Sequence, residues 1–129
     1  MKKAGILNRH LAGAIAELGH GDGVLVCDAG LPTPRGPRVV DLAFRAGVPS
    51  FAEVLDGLFD ELVVEGATAA DEVRAANPAA FALLHGRFPE LTLVPHARLK
   101  QLSETTHLIV RTGEATPYAN VLLRCGVFF

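Results

Sequence analysis

The side chains of this chain that could move protons or grip hydroxyl groups fall in a few short stretches. His20 sits in a glycine-rich turn, Gly19-His20-Gly21-Asp22-Gly23. Asp28 ends the apolar run Val24–Cys27. His96 follows a second apolar run, Leu91–Pro95, and Tyr118-Ala119-Asn120 leads into a third, Val121–Leu123. Imidazole has an unperturbed pKa near neutrality, so it can both give and take a proton at pH 7. A carboxylate can steady an imidazolium or accept hydrogen bonds from hydroxyls, while Tyr and Asn supply neutral hydrogen bonds. Together these are equipment for acid–base chemistry on a polyol.

Each residue also has a structural use. His20 could be a solvated turn residue, and Asp28 an Asx-turn residue before Gly30. Tyr118, the only tyrosine, could be core. His107 suits a strand cap, His10 a solvated helix face and His85 a helix C-terminus. Other catalytic patterns fail. The glycine-rich turn precedes its strand instead of following it, so it is not a dinucleotide loop. The chain has no GxxxxGK[ST], no HExxH and no GxSxG. His20, Asp28 and His96 could in principle ligate a metal, but no close ligand pair anchors that reading. No metal is therefore expected.

The elements that must position these residues alternate strand with helix, which argues for a single α/β domain over residues 1–129 with a mixed or mainly parallel sheet of about six strands flanked by helices. Leu7, Leu11, Ile15 and Leu18 share one helical face, with Asn8 as N-cap and Gly19 after the C-terminus. Strands are expected at Val24–Cys27, Arg38–Phe44, Glu61–Glu65, Leu91–Pro95, His107–Arg111 and Val121–Leu123. Ser50 and Glu53 form a capping-box pattern for a helix through Leu58. The alanine-rich stretch Ala67–Ala76 reads as helix. Asn77-Pro78 interrupts it, and a second piece runs to His85 with Gly86 as its terminator. Ala97–Leu102 reads as a short helix. The strand between His20 and Asp28 spans roughly 13 Å at about 3.3 Å per residue, so direct contact of the two within one subunit is not implied.

Composition narrows the class. The apolar fraction is 50% with a mean hydropathy of +0.31, high for a small monomer, and the chain ends Val127-Phe128-Phe129. Subunit interfaces are a natural place for that surplus; folding of the tail onto its own domain is the alternative. No apolar run approaches the ~20 residues that cross a bilayer. The net charge of −2 and the absence of tryptophan give nucleic-acid binding no support. Met1-Lys2-Lys3 before Ala4–Leu7 resembles a signal peptide, but Asn8-Arg9-His10 breaks the apolar stretch too early. Cys27 and Cys125 lie in apolar runs without CxxC spacing and read as reduced thiols of a cytoplasmic protein.

Taken in order, these stretches resemble the ribose pyranase and L-fucose mutarotase family. The likeness is carried by Met1-Lys2-Lys3 with Leu7-Asn8, Leu18-Gly19-His20, Val26–Pro32, Gly47–Phe51 with Val54-Leu55, and Asn77-Pro78. It continues through His96 with Lys100, Arg111-Thr112-Gly113-Glu114, and Pro117–Asn120 with Gly126-Val127. It covers nearly the whole chain; Ala79–Leu93 matches least and is shorter than in family members. The resemblance implies a cofactor-free isomerase that interconverts pyranose and furanose forms of D-ribose. It implies His20 as proton donor, with Asp28, His96 and Tyr118-Ala119-Asn120 binding the sugar. It also implies a decamer of two stacked pentameric rings with the cleft at subunit contacts. The fucose mutarotases of this family carry an arginine where this chain has His96, which favours the ribose activity. A fucose-type mutarotase, a non-catalytic sugar-binding accessory of a ribose transport system and a metal-dependent sugar isomerase are the other readings.

Overall fold

Side-chain caps start three of the helices. The computed structural model describes residues 1–129. Asn8 accepts hydrogen bonds from the His10 and Leu11 amides at 3.0 and 2.9 Å and opens α1 (Arg9–Ala16). Ser50 and Glu53 exchange both bonds of the capping box at the start of α2 (Phe51–Phe59). Asn77 caps α4 (Pro78–Arg87), with Pro78 in the first turn, where its missing N–H costs nothing. A single turn, α3 (Val73–Ala76), precedes α4, and α5 (His96–Ser103) completes the set.

The strands β1 (Gly23–Cys27), β2 (Arg38–Asp41), β3 (Val64–Ala70), β4 (Thr92–Val94), β5 (Leu108–Arg111) and β6 (Val121–Cys125) form one sheet in the order β2-β5-β1-β6-β3-β4. Only β6 runs against the others. Helices on one face and a smaller cover on the other follow from the handedness of crossovers. The connections β2→β3 and β3→β4 run one way along the sheet; β1→β2 and β4→β5 run the other way, so a single hand sends them to opposite faces. The packing agrees. Val24 and Val26 of β1 share a core with α1, α2, Val73, Ala80 and Leu84. Leu25, Cys27 and Ile109 face away from it, against Leu31 of the β1–β2 connection. The sequence thus places β1 correctly: it is a central strand, its last four residues fully buried.

Four expectations are corrected. Ala67–Ala76 is not one helix: β3 runs to Ala70, and only Val73–Ala76 is helical. Alanine favours helices, but here Ala67 and Ala69 face the core, Ala70 packs behind them, and hydrogen bonds to β6 and β4 hold both sides of the strand. Small side chains let α5 lie close on β3. The strand expected at Glu61–Glu65 therefore starts at Val64, and β2 stops at Asp41 rather than Phe44. Gly86 does not end its helix; α4 continues to Arg87, whose guanidinium lies 4.2 Å from the Phe59 ring centre.

The polarity of the sheet decides what can meet. All five parallel strands end at one edge, where β6 begins. Connections leave that edge in opposite directions over opposite faces, an arrangement that opens a crevice beyond the strand ends in α/β sheets. The edge is tightly drawn at Gly113, whose N–H donates to Pro49 O at 2.9 Å. A Cβ on Gly113 would lie 2.7 Å from the Arg45 carbonyl oxygen and nearer still to the Val48 carbonyl. Backbone cannot yield as a side chain can, so Gly113→Ala is expected to cost about 1–3 kcal/mol, the usual range for overpacking. Chemical denaturation measures it; an unchanged midpoint would show that the 45–49 turn can move away freely.

Candidate active site

Asp28 sits one residue past β1, almost fully buried at 8% exposure. Its Oδ1 accepts from the Gly30 and Leu31 amides, each at 2.9 Å, so the Asx-turn is real. Its Oδ2 accepts from Asn120 Nδ2 at 3.0 Å, and Asn120 Oδ1 accepts from the Asp28 amide at 2.9 Å. A carboxylate offers about four lone-pair sites. Three are filled, which leaves Asp28 able to accept one more hydrogen bond. The second Asn120 Nδ2 hydrogen is likewise left to donate.

Tyr118 and Ala119 precede Asn120 on the same segment. Tyr118 has a φ of +58°, a left-handed conformation that non-glycine residues adopt seldom. Asn77 supports this turn: besides capping α4, its Nδ2 donates to Thr116 Oγ1 and to Pro117 O, both at 2.8 Å. The Tyr118 ring meets His96 edge to face, with centroids 5.1 Å apart. His96 is the first residue of α5, and Glu72 accepts from its amide. Its Nδ1 is buried with no hydrogen-bond partner, which is costly unless a ligand or neighbour supplies one. Asp28, Asn120, Ala119, Tyr118 and His96 therefore form one continuous group at the carboxyl edge.

His20 is not part of it. It lies before β1, at the opposite edge, beside the end of β6. The turn is held by Asp22, which accepts from the Gly19 amide at 2.8 Å, and by Gly21 N–H donating to Cys125 O at 2.8 Å. The His20 ring is exposed and bonds Glu65 Oε2 through Nε2 at 3.1 Å. His107, expected to cap a strand, does so: its Nδ1 accepts from the Gly23 amide and its Nε2 lies 3.2 Å from Asp22.

Sequence reasoning missed Asn77, Glu65 and the supports at the carboxyl edge. Glu114 accepts from the Phe51 amide and from Thr116, and its carbonyl accepts from Ala29 N–H. Arg111 donates to Ala29 O and pairs with Asp41. The one signal was position, since Arg111 ends a strand as Asp28 does. Clefts of about 250 and 370 Å³ share Glu114 and Thr116; Asp28 lines the smaller, and Asn77 and Ala119 the larger. His96 and Tyr118 line neither.

The thiols are unsuited to nucleophilic work. Burial, reinforced by the Asp28 carboxylate, pushes Cys27 up to about 12. Burial, then Asp22 and Glu65, also raises Cys125. Hydrogen bonds from Ser50 hold the Glu53 carboxyl below its ordinary value, a capping effect away from the site.

Residues 1–128 match the RbsD/FucU transport protein family. The chain belongs to that family. It is 83% identical to a D-ribose pyranase of Streptomyces avermitilis and 81% identical to one of Streptomyces coelicolor, each over the full length of both chains. The structure of Bacillus subtilis RbsD complexed with D-ribose superposes with a TM-score of 0.95 at 42% identity, covering all of both chains. The fucose mutarotase of Streptococcus pneumoniae in complex with L-fucose, at 20% identity and a TM-score of 0.82 over 95% of each chain, shares the fold.

Asp28→Asn tests the buried pair. The amide can still accept from Gly30 and Leu31, but its NH₂ then faces Asn120 Nδ2, two donors opposed. The expected cost is about 1–3 kcal/mol for the unsatisfied buried group, read from chemical denaturation, with ribose binding weakened in parallel. Stability and binding both within about twofold of wild type, ~0.4 kcal/mol, would reduce Asp28 to a turn residue.

Proposed function

We propose that this chain is an isomerase interconverting the pyranose and furanose forms of D-ribose, with a site completed between subunits of a homo-oligomer. The observation that carries this reading is the split of the acid–base set. The hydroxyl-binding group Asp28, Asn120, Tyr118 and His96 lies at one sheet edge, and the solvent-facing imidazole of His20 lies at the other. Proton-transfer groups must come within hydrogen-bond reach of the sugar, so the two halves meet only when a second copy brings its opposite edge. Phe128 and Phe129 are 89% and 91% exposed, an apolar tail suited to covering by that neighbour. The full-length identity to ribose pyranases supports the sugar. Two buried, unpaired thiols support a reducing, cytoplasmic setting. We take the assembly to be the decamer of two pentameric rings implied by the resemblance.

Ring opening requires the hemiacetal ring oxygen to gain a proton and the anomeric hydroxyl to lose one. The free aldehyde then recloses through a different hydroxyl. His20 supplies the proton to the ring oxygen. Asp28 accepts a hydroxyl at its remaining lone pair, Asn120 donates its spare amide hydrogen, and His96 Nδ1 and Tyr118 complete the grip with the Ala119 backbone. Such a reaction has no step that demands a metal, a redox centre or a covalent intermediate. Positioned acid–base groups give about 10²–10⁴-fold, enough for a reaction whose spontaneous rate is already appreciable.

The description of the family as transport proteins favours one competing reading, a non-catalytic sugar-binding accessory. Saturation-transfer NMR between ring forms of ribose separates the two. A catalyst speeds exchange, and does so after exhaustive chelation; a mere binder broadens sugar signals without speeding interconversion. His20→Ala is expected to lose most of the catalysed exchange while folding and assembly persist, and near-wild-type exchange would remove His20 from the mechanism. Deleting Val127–Phe129 should give smaller particles by light scattering and a parallel fall in exchange. A fully active monomer would show that each subunit carries a complete site.

A further inference from the structure

The turn that carries His20 gives its ring little to pack against. Its neighbours are Gly19 and Gly21, and the side chain is 57% exposed. An imidazole so placed has no steric reason to hold one orientation or one tautomer. Its polar contact is Glu65 Oε2, 3.1 Å from Nε2. Several features of the fold converge on that carboxylate. Arg124 Nε holds its other oxygen at 2.9 Å. The pairing of β3 with β6 shifts register between Val64 and Gly66, so Glu65 sits at an irregularity of the kind that re-aims a side chain. Gly126 leaves the room it occupies: a Cβ there would lie 3.3 Å from Glu65 Cβ and 3.5 Å from Oε2.

We propose that Glu65 is a positioning residue for His20, fixing the proton on Nε2 and turning Nδ1 toward the incoming sugar. A carboxylate accepts only, so it selects the Nε2–H tautomer of the neutral ring. In the charged ring Glu65 keeps the Nε2 proton, and the proton on Nδ1 is the one free to pass to the ring oxygen. Arg124 anchors the carboxylate through its other oxygen. This role rests on the proposed acid function of His20, and Glu65 itself need not touch the sugar.

The test pairs a structural readout with a kinetic one. In ¹⁵N NMR of the full-length protein, His20 is expected to be mainly the Nε2–H tautomer in the wild type and in Glu65→Gln, whose amide oxygen can still accept. In Glu65→Leu it should become a mixture. Ribose exchange in Glu65→Leu should fall at saturation on the order of tenfold, the lower end for loss of a group that orients an imidazole. Half-saturation should stay within about twofold, and Glu65→Gln should recover most of the rate. An unchanged tautomer in Glu65→Leu, with His20→Ala inactive, would overturn the role of Glu65 and leave the acid assignment standing. A changed tautomer with undiminished exchange, and His20→Ala equally active, would overturn both by removing His20 from the reaction.

Discussion

The reciprocal pair between Asp28 and Asn120 is the contact on which the carboxyl edge depends. Each residue gives the other one hydrogen bond, across 92 positions of sequence, and both are almost out of reach of water. In such surroundings an unpaired carboxylate or amide is costly, so the pair fixes where β1 ends relative to where β6 begins. The Asx-turn after Asp28 and the left-handed Tyr118 before Asn120 are then held at a set distance. Asn77, Glu114 and Arg111 brace this arrangement from outside. The result is a rigid group of polar atoms with a few hydrogen-bonding positions still open, which suits the proposed sugar site.

The antiparallel strand gives this fold its particular geometry. With five strands pointing one way, an α/β sheet gathers its polar loops at one edge. β6 alone carries the chain back, and its far end, with Arg124 and Gly126, serves the turn that holds His20. The same five-residue strand therefore begins beside the proposed sugar-binding group and ends near Glu65, the carboxylate bonded to His20.

Much of this was legible from residue types. Asn8 and Ser50 are strong N-caps because their side chains accept from orphan amides close in sequence, a local effect that needs no knowledge of the fold. Asp28, His96 and Asn120 stood out because each is a polar residue at the end of an apolar run. The alanine run misled, since alanine's helix preference of a few tenths of a kcal/mol per residue is outweighed when neighbouring strands satisfy both sides of the backbone. From sequence Asn77 reads only as a helix breaker, because its bonds to Thr116 and Pro117 join segments about 40 residues apart. Glu65 was invisible for the same reason: its partners are a turn far upstream and a strand far downstream.

The proposed sharing of one site between two subunits has a genetic consequence. In an assembly where one subunit's edge faces another's, each polypeptide contributes half of two different sites. A copy damaged at His20 still presents a sound Asp28–Asn120 edge, and a copy damaged at Asp28 still presents a sound histidine. Two alleles, each inert alone, can therefore complement when co-expressed. A copy defective at one edge spoils only one of the two sites it joins, so when two such alleles are mixed the number of intact sites depends on how the subunits are arranged as well as on how many are defective.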